Sequence, residues 1–116
     1  MITIYGIKNC ETMKKAFKWL DEHHIDYHFH NYKVEGITDD QLQIFLNSLG
    51  WKNVLNQRGT TWRKLDEVVR KSVIDEQTAM AVIQQNLSII KRPIITKGNK
   101  VLAGFSSELY QHFFEN

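Results

Sequence analysis

The hydrophobic periodicity of the first thirty residues changes twice, and this change constrains the fold more than any other feature of the chain. An apolar run at residues 2–5 predicts a buried strand, and apolar residues at helical spacing predict a helix over about 11–23. From residue 25 to residue 30, apolar and polar side chains alternate, as in a half-buried strand. Because a helix is too long a connection for a hairpin, we expect these two strands to run parallel with a right-handed crossover.

The middle of the chain, approximately residues 34–91, has helical spacing throughout. Thr38 fits the start of a capping box, and the helix that follows should end at Gly50. Further helices are predicted around residues 62–69 and from Asp75 onward. Because no Pro-rich or Gly/Ser-rich linker borders this segment, we interpret it as a wholly helical insertion within one domain that comprises the whole chain.

The last third of the chain returns to short apolar runs, at residues 93–96 and 101–103. Between these runs, Gly98-Asn99 suits a two-residue hairpin turn. The two strands should therefore be antiparallel.

A final amphipathic segment completes the order of elements. Ser106 or Ser107 can cap a helix that carries Leu109, Tyr110 and Phe113. The resulting order is β-α-β, a helical insertion, and β-β-α. This order predicts an α/β fold with an open four-stranded mixed sheet, which is the thioredoxin-like arrangement.

Composition and charge exclude several classes of function. The 15 basic and 13 acidic residues are scattered along the chain, so we predict no direct nucleic-acid partner. No apolar run approaches the length that spans a bilayer, and the first residues lack the pattern of a secretory signal, so no membrane association is predicted. A single cysteine cannot form an internal disulfide, and the protein is therefore expected in the reducing cytoplasm.

The single cysteine, Cys10, falls between the first strand and the first helix. At this position the free amides and the positive end of the helix dipole favour a thiolate, and Lys8 can add positive potential. We therefore interpret Cys10 as a nucleophile, and burial as a small apolar side chain is the alternative. Thr12 can donate to the thiolate or simply cap the helix, and Asn9 can orient the loop.

The only proline, Pro93, opens a strand and directly follows Arg92. In thioredoxin-like folds a cis-proline loop faces the active cysteine, so we expect a cis Arg92-Pro93 bond. Arg58 precedes a glycine, which also suggests a loop. An arginine in such a loop can bind a carboxylate or an oxyanion through two hydrogen bonds, and a solvated surface role is the alternative.

The histidines offer only a weak pattern for metal binding. His28 and His30 share one face of the predicted second strand, and His23 and His24 are adjacent. None of them forms the cysteine-histidine spacing that is typical of zinc sites. We predict no metal site and no bound cofactor.

Three segments together resemble a known family. Tyr-Gly-Ile-Lys-Asn-Cys-Glu-Thr-Met-Lys-Lys-Ala at residues 5–16, Asn-Gln-Arg-Gly-Thr-Thr-Trp-Arg at 56–63 and Lys-Arg-Pro-Ile-Ile at 91–95 are similar to the arsenate reductase/Spx family, closest to its YffB-type branch. The resemblance covers essentially the whole chain. It implies a thioredoxin-like fold with a helical insertion and a thiol-disulfide oxidoreductase activity.

The resemblance also assigns residues to an oxyanion site. In arsenate reductases of this type a nucleophilic cysteine works with three arginines, and Cys10, Arg58 and Arg92 match the cysteine and two of them. Where the third arginine is expected, this chain has Gly104-Phe105. The resemblance therefore leaves arsenate reduction as an alternative function that lacks one ligand.

The two other branches imply different partners. Many Spx regulators carry a Cys-x-x-Cys switch, but Met13 occupies the second position here, so RNA polymerase binding without that switch is a further alternative. The YffB-type branch implies a glutathione-dependent monothiol reductase. Its co-substrate would be glutathione, and its substrate a small thiol or disulfide, or a protein disulfide. The implied residues are Arg58, Arg92 and Pro93 for glutathione binding, and Thr12, Asn9 and Lys8 for thiolate stabilisation.

Overall fold

The computed structural model describes residues 1–115, which form two compact units. The first unit combines the residues up to Glu35 with those from Arg92 onward, and the second unit is Gly36–Lys91. The elements in chain order are β1 (Ile2–Gly6), α1 (Glu11–Glu22), β2 (His28–Asn31), α2 (Tyr32–Glu35), α3 (Asp39–Leu49), α4 (Trp51–Val54), α5 (Thr60–Arg63), α6 (Glu67–Lys71), α7 (Glu76–Gln85), a 3-10 helix (Leu87–Ile89), β3 (Ile94–Lys97), β4 (Lys100–Ala103) and α8 (Ser107–Glu115).

The four strands of the first unit form one mixed sheet in the order β2-β1-β3-β4. β1 pairs with β2 in parallel, while β3 is antiparallel to both β1 and β4. The predicted parallel pair, the predicted hairpin and the thioredoxin-like fold class are therefore confirmed. In this register Ile4 lies opposite Phe29 on one side and Ile95 on the other, so the centre of the sheet is apolar.

Helices α1 and α8 pack on the same face of this sheet. Trp19 of α1 meets Tyr110 of α8 edge to face, with ring centroids 5.5 Å apart. Leu20 of α1 and the strand residues Ile4 and Ile95 are fully buried in the core between these helices and the sheet. Each fully buried side chain of this kind stabilises the fold by about 1.5–3 kcal/mol relative to exposure. This packing holds α1 firmly against the sheet, so the first turn of α1 has a defined position.

The second strand is shorter than the alternation of residues 25–30 predicts, because β2 begins at His28. The preceding residues instead close helix α1. His24 adopts a left-handed conformation with φ 55°, and its amide donates to the Asp21 carbonyl. The Ile25 amide donates to the Leu20 carbonyl, which completes the hydrogen-bond pattern of a Schellman motif. The Ile25 amide therefore bonds to the end of α1, and Ile25 lies outside the strand.

The second unit is helical apart from one β-bridge between Leu55 and Ile90. Three of the predicted helix ends are confirmed. The Thr38 side chain accepts a hydrogen bond from the Gln41 amide at the start of α3, and Gly50 ends this helix with φ 83°. Asp75 caps α7 in a complete capping box.

The prediction of a continuous helix at residues 62–69 is wrong. The structure has two short helices there, α5 and α6, and neither contains a buried residue. Asp66 between them adopts an extended ψ of 142°, which interrupts the helical path. Val68 is 80% exposed, so the apolar spacing in this segment did not mark a buried face.

Within residues 1–115, every helix is too short or too polar to cross a bilayer.

Candidate active site

Cys10 is the N-cap residue of α1, immediately after the loop that leaves β1. The loop turns at Asn9, whose φ of 62° is a left-handed conformation that asparagine tolerates well. The Cys10 carbonyl accepts the first hydrogen bond of the helix, from the Lys14 amide at 3.0 Å. The side chain is partly exposed and packs against the apolar core of the first unit. The sulfur therefore lies at the positive end of an anchored helix.

Arg92 places a guanidinium beside this sulfur. Its side chain donates a hydrogen bond to Cys10 and also contacts the hydroxyl group of Tyr32. Because Ile94 of β3 lies opposite Tyr5 of β1, the residues before β3 lie beside those that follow β1. The pairing of two antiparallel strands thus brings together Arg92 and Cys10, which are distant in the sequence.

Burial and three neighbouring groups decide the charge of the Cys10 sulfur. Burial disfavours the thiolate, but the Met13 amide, the Arg92 guanidinium and the Thr12 amide favour it and together hold the pKa of Cys10 below its ordinary value. The fraction of thiolate at neutral pH is therefore higher than for a free cysteine.

The Arg92 guanidinium keeps its charge in this environment. Burial lowers the pKa of Arg92, but the contacts with Cys10 and Tyr32 outweigh this effect and raise it. Burial likewise raises the pKa of Tyr32 to about 12, although the nearby Arg92 opposes the rise. At neutral pH the cluster therefore consists of a cation, a neutral hydroxyl and a sulfur that can carry a negative charge.

The other predicted residues of the cysteine loop are placed as follows. Lys8 and Asn9 are exposed, and Thr12 is partly buried in the first turn of α1. The contribution of Thr12 to the charge of Cys10 comes from its backbone amide.

Pro93 follows a cis peptide bond, as the sequence predicts. It is buried, and its carbonyl accepts a hydrogen bond from the Gly104 amide at 2.8 Å. The Gly104 residue has φ 83°, a left-handed conformation that favours glycine over arginine. The cis-proline loop is thus fastened to the end of β4.

Arg58 belongs to the second unit, whereas Cys10, Arg92 and Pro93 belong to the first. The Arg58 side chain is exposed, and its amide donates to the Asn56 side chain at 3.1 Å. With Lys52 and Lys91, Arg58 lines a cavity of about 320 Å³ within the second unit. Three basic side chains around one cavity suit an anionic group.

Sequence reasoning missed Tyr32. This residue is fully buried and directly follows β2, which runs parallel to β1. Because parallel strands end at the same edge of a sheet, a residue just after β2 lies near the residues just after β1. The position of Tyr32 behind the second predicted strand was therefore the signal that could have revealed it.

A thiolate beside a cation and a cis-proline loop has the general chemistry needed to attack the sulfur of a disulfide.

Comparison with known proteins identifies the family of the chain. The ArsC family profile matches residues 5–113. A protein of Haemophilus influenzae is 47% identical over 114 residues, which cover 98% of this chain and 99% of that protein.

Two further relatives differ in their sequence identity to this chain. The solved structure of a YFFB protein superposes with a TM-score of 0.92 at 45% identity and covers 97% of both chains. The global transcriptional regulator Spx of Staphylococcus haemolyticus is 29% identical over 115 residues, which cover 97% of this chain and 86% of the regulator. From the span of the family match, we conclude that this chain belongs to the ArsC family, as a YffB-like member.

Proposed function

We propose that the protein is a glutathione-dependent monothiol reductase in which Cys10 is the nucleophile. Family membership and the Spx relatives support a thiol-based redox or regulatory role in general. The observation that carries the finer proposal is the Arg92 guanidinium on the Cys10 sulfur, which lowers the pKa of the thiol without a second cysteine.

The reaction would proceed in two exchange steps. The Cys10 thiolate attacks the glutathione sulfur of a mixed disulfide, so that a Cys10-glutathione disulfide forms and the substrate leaves as a thiolate. A second glutathione, as its thiolate, then attacks the glutathione sulfur of this adduct. Oxidised glutathione forms, and the electron pair of the broken bond returns to Cys10 as a thiolate. Arg92 would stabilise this anion at the start and at the end of the cycle.

The remaining predicted residues would bind glutathione. Arg92 would hold one of its carboxylates, for which a guanidinium offers paired donors. Arg58 belongs to the second unit, and its guanidinium would bind a carboxylate at the basic cavity of that unit. The loop at Pro93, fastened by the Gly104 amide, would present a rigid backbone edge to the peptide part of glutathione. Thr12, through its amide, together with Asn9 and Lys8 would keep the cysteine loop suited to the thiolate.

Mass spectrometry after incubation with oxidised glutathione tests the proposal. We expect one glutathione adduct on Cys10, which disappears when reduced glutathione is added. The Cys10→Ser variant should remain unmodified. No adduct on the wild-type protein, or an adduct that reduced glutathione does not release, would contradict the proposed cycle.

A regulatory function is the second candidate, because Spx relatives match almost the whole chain. As a regulator without a Cys-x-x-Cys switch, the protein would bind RNA polymerase independently of its thiol. A pull-down with purified RNA polymerase tests this second candidate. If the polymerase retains the wild-type and the Cys10→Ser protein equally, the regulatory function is supported. If the polymerase retains neither protein, the regulatory function is rejected.

Arsenate reduction is disfavoured by the missing third arginine. Gly104 has a left-handed backbone, and Phe105 packs edge to face on Tyr110 with centroids 4.7 Å apart. An arginine at either position would therefore cost backbone strain or core packing. Turnover of arsenate by the wild-type protein with glutathione and glutaredoxin would revive this alternative.

A further inference from the structure

Two histidines and a glutamate converge on the outer strand of the sheet. His28 and His30 are two positions apart on β2 and so point to the same face. Glu35 ends α2, the short helix that starts immediately after this strand. The potential ligand atoms of the three side chains all lie within 4.8 Å of one another. We propose that His28, His30 and Glu35 form a binding site for a divalent transition-metal ion, Zn²⁺ in particular.

The carboxylate of Glu35 is held in position by the backbone. Its Oε2 atom accepts a hydrogen bond from the Asn31 amide at 3.1 Å. The other oxygen, Oε1, lies 3.8 Å from Nδ1 of His30. This separation is too long for a hydrogen bond. Two ligands that sit about 2.1 Å from zinc at the tetrahedral angle are about 3.4 Å apart, so the pair is already close to the spacing that an ion requires.

The two histidines differ in burial. His30 is only 24% exposed, and its ring packs against Tyr5 with centroids 5.0 Å apart. His28 is exposed, and its side chain can rotate. The ligand atoms lie within 4.8 Å of one another, whereas tetrahedral zinc ligands lie about 3.4 Å apart, so the group must contract to surround an ion. Rotation of the exposed His28 ring can supply this movement, while His30 and Glu35 stay in place.

The ligand types select the class of metal. Two imidazoles and one carboxylate form a known set for zinc, with a fourth position left to water or another ligand. Ca²⁺ and Mg²⁺ prefer oxygen ligands and are disfavoured. Cys10 is not one of the three ligands, so this proposal is independent of the thiol chemistry. Sequence reasoning predicted no metal site because it considered histidines with cysteine and did not include Glu35.

The test uses the full chain with Cys10→Ser, because a cysteine thiolate also binds zinc. Zn²⁺ is titrated in competition with a chromogenic chelator, and we expect one bound equivalent. His28→Asn and Glu35→Gln, each made in this background, should weaken binding at least about tenfold, the smallest loss typical of an altered metal environment. Gln at position 35 can still accept the Asn31 amide, so the local fold should persist.

His112→Asn is the matched control. Nδ1 of His112 also lies 3.8 Å from a glutamate oxygen, that of Glu115, but this pair belongs to no three-residue ligand group in the described part of the chain. Its zinc affinity should equal that of the Cys10→Ser parent. Zinc should also raise the melting temperature of the parent and the control, but not that of Glu35→Gln, because an ion that binds only the folded state stabilises it. Absence of stoichiometric binding to the parent, or equal affinity in His28→Asn and His112→Asn, would overturn the proposal.

Discussion

At the scale of single residues, the charge of the Cys10 sulfur depends on Arg92. Replacing this residue with methionine keeps an unbranched side chain but removes the cation and the hydrogen bond to sulfur. We expect the pKa of Cys10 to rise towards its ordinary value, because the Arg92 guanidinium lowers it. Alkylation of Arg92→Met by iodoacetamide near neutral pH should therefore be severalfold slower than alkylation of the wild type.

A pH series of alkylation rates measures this change, and Arg63→Met is the control because Arg63 is an exposed residue of the second unit. Its pH profile should match that of the wild type. If Arg92→Met had the wild-type profile, the helix amides alone would account for the lowered pKa of Cys10.

The Tyr110 hydroxyl leads to a second prediction at this scale. It is buried without a hydrogen-bond partner among the described residues, and burial raises the pKa of Tyr110. An unsatisfied buried polar group costs about 1–3 kcal/mol. Tyr110→Phe should therefore increase the free energy of unfolding by about 1 kcal/mol in urea titrations. Tyr27→Phe is the comparison, since the Tyr27 hydroxyl has a hydrogen bond to Asp21 and its removal should bring no gain.

At the scale of elements, α1 and α6 show that helical spacing alone does not identify a buried face. Leu20 of α1 is fully buried, whereas Val68 of α6 is 80% exposed. We expect Leu20→Ala to lower the free energy of unfolding by about 2–5 kcal/mol, because it leaves a cavity in the core. Val68→Ala should change it by less than about 0.5 kcal/mol.

Urea titrations of both variants provide the measurement. The larger effect is expected for Leu20→Ala because only this substitution leaves a cavity in the core. A large loss in Val68→Ala would mean that α6 is covered by a partner in solution.

At the scale of the whole molecule, the thiol couples folding to pH. The pKa of Cys10 is lowered in the folded state, so between the folded and the unfolded pKa the unfolded chain binds more protons. The free energy of unfolding therefore rises with pH through this interval. The contribution of Cys10 is complete above the unfolded pKa of about 8.5 and is lost as the pH falls through the folded pKa.

Urea unfolding at several pH values under reducing conditions measures this coupling. The wild type should gain stability relative to Cys10→Ser as the pH rises, and the difference should level off above the pKa of a free thiol. If the difference in the free energy of unfolding between the two proteins does not vary with pH, the pKa of Cys10 is the same in the folded and the unfolded state.

The sequence by itself determined the order of the elements and the loop that carries Cys10. Changes of period, the capping residues Thr38 and Asp75, and the Gly98-Asn99 turn act over a few residues, so they can be recognised without the fold. The strand of residues 25–30 was predicted too long because the pattern of side chains does not reveal that the Ile25 amide bonds to the end of α1.

Only the tertiary structure decided which side chains surround the sulfur and which meet at the outer strand. Arg92 reaches Cys10 because β3 pairs with β1, and Tyr32 joins them because β2 ends at the same edge. Glu35 approaches His30 because α2 follows β2 without a loop. These contacts depend on strand order and register, which are set by burial of the whole apolar face and not by any local pattern.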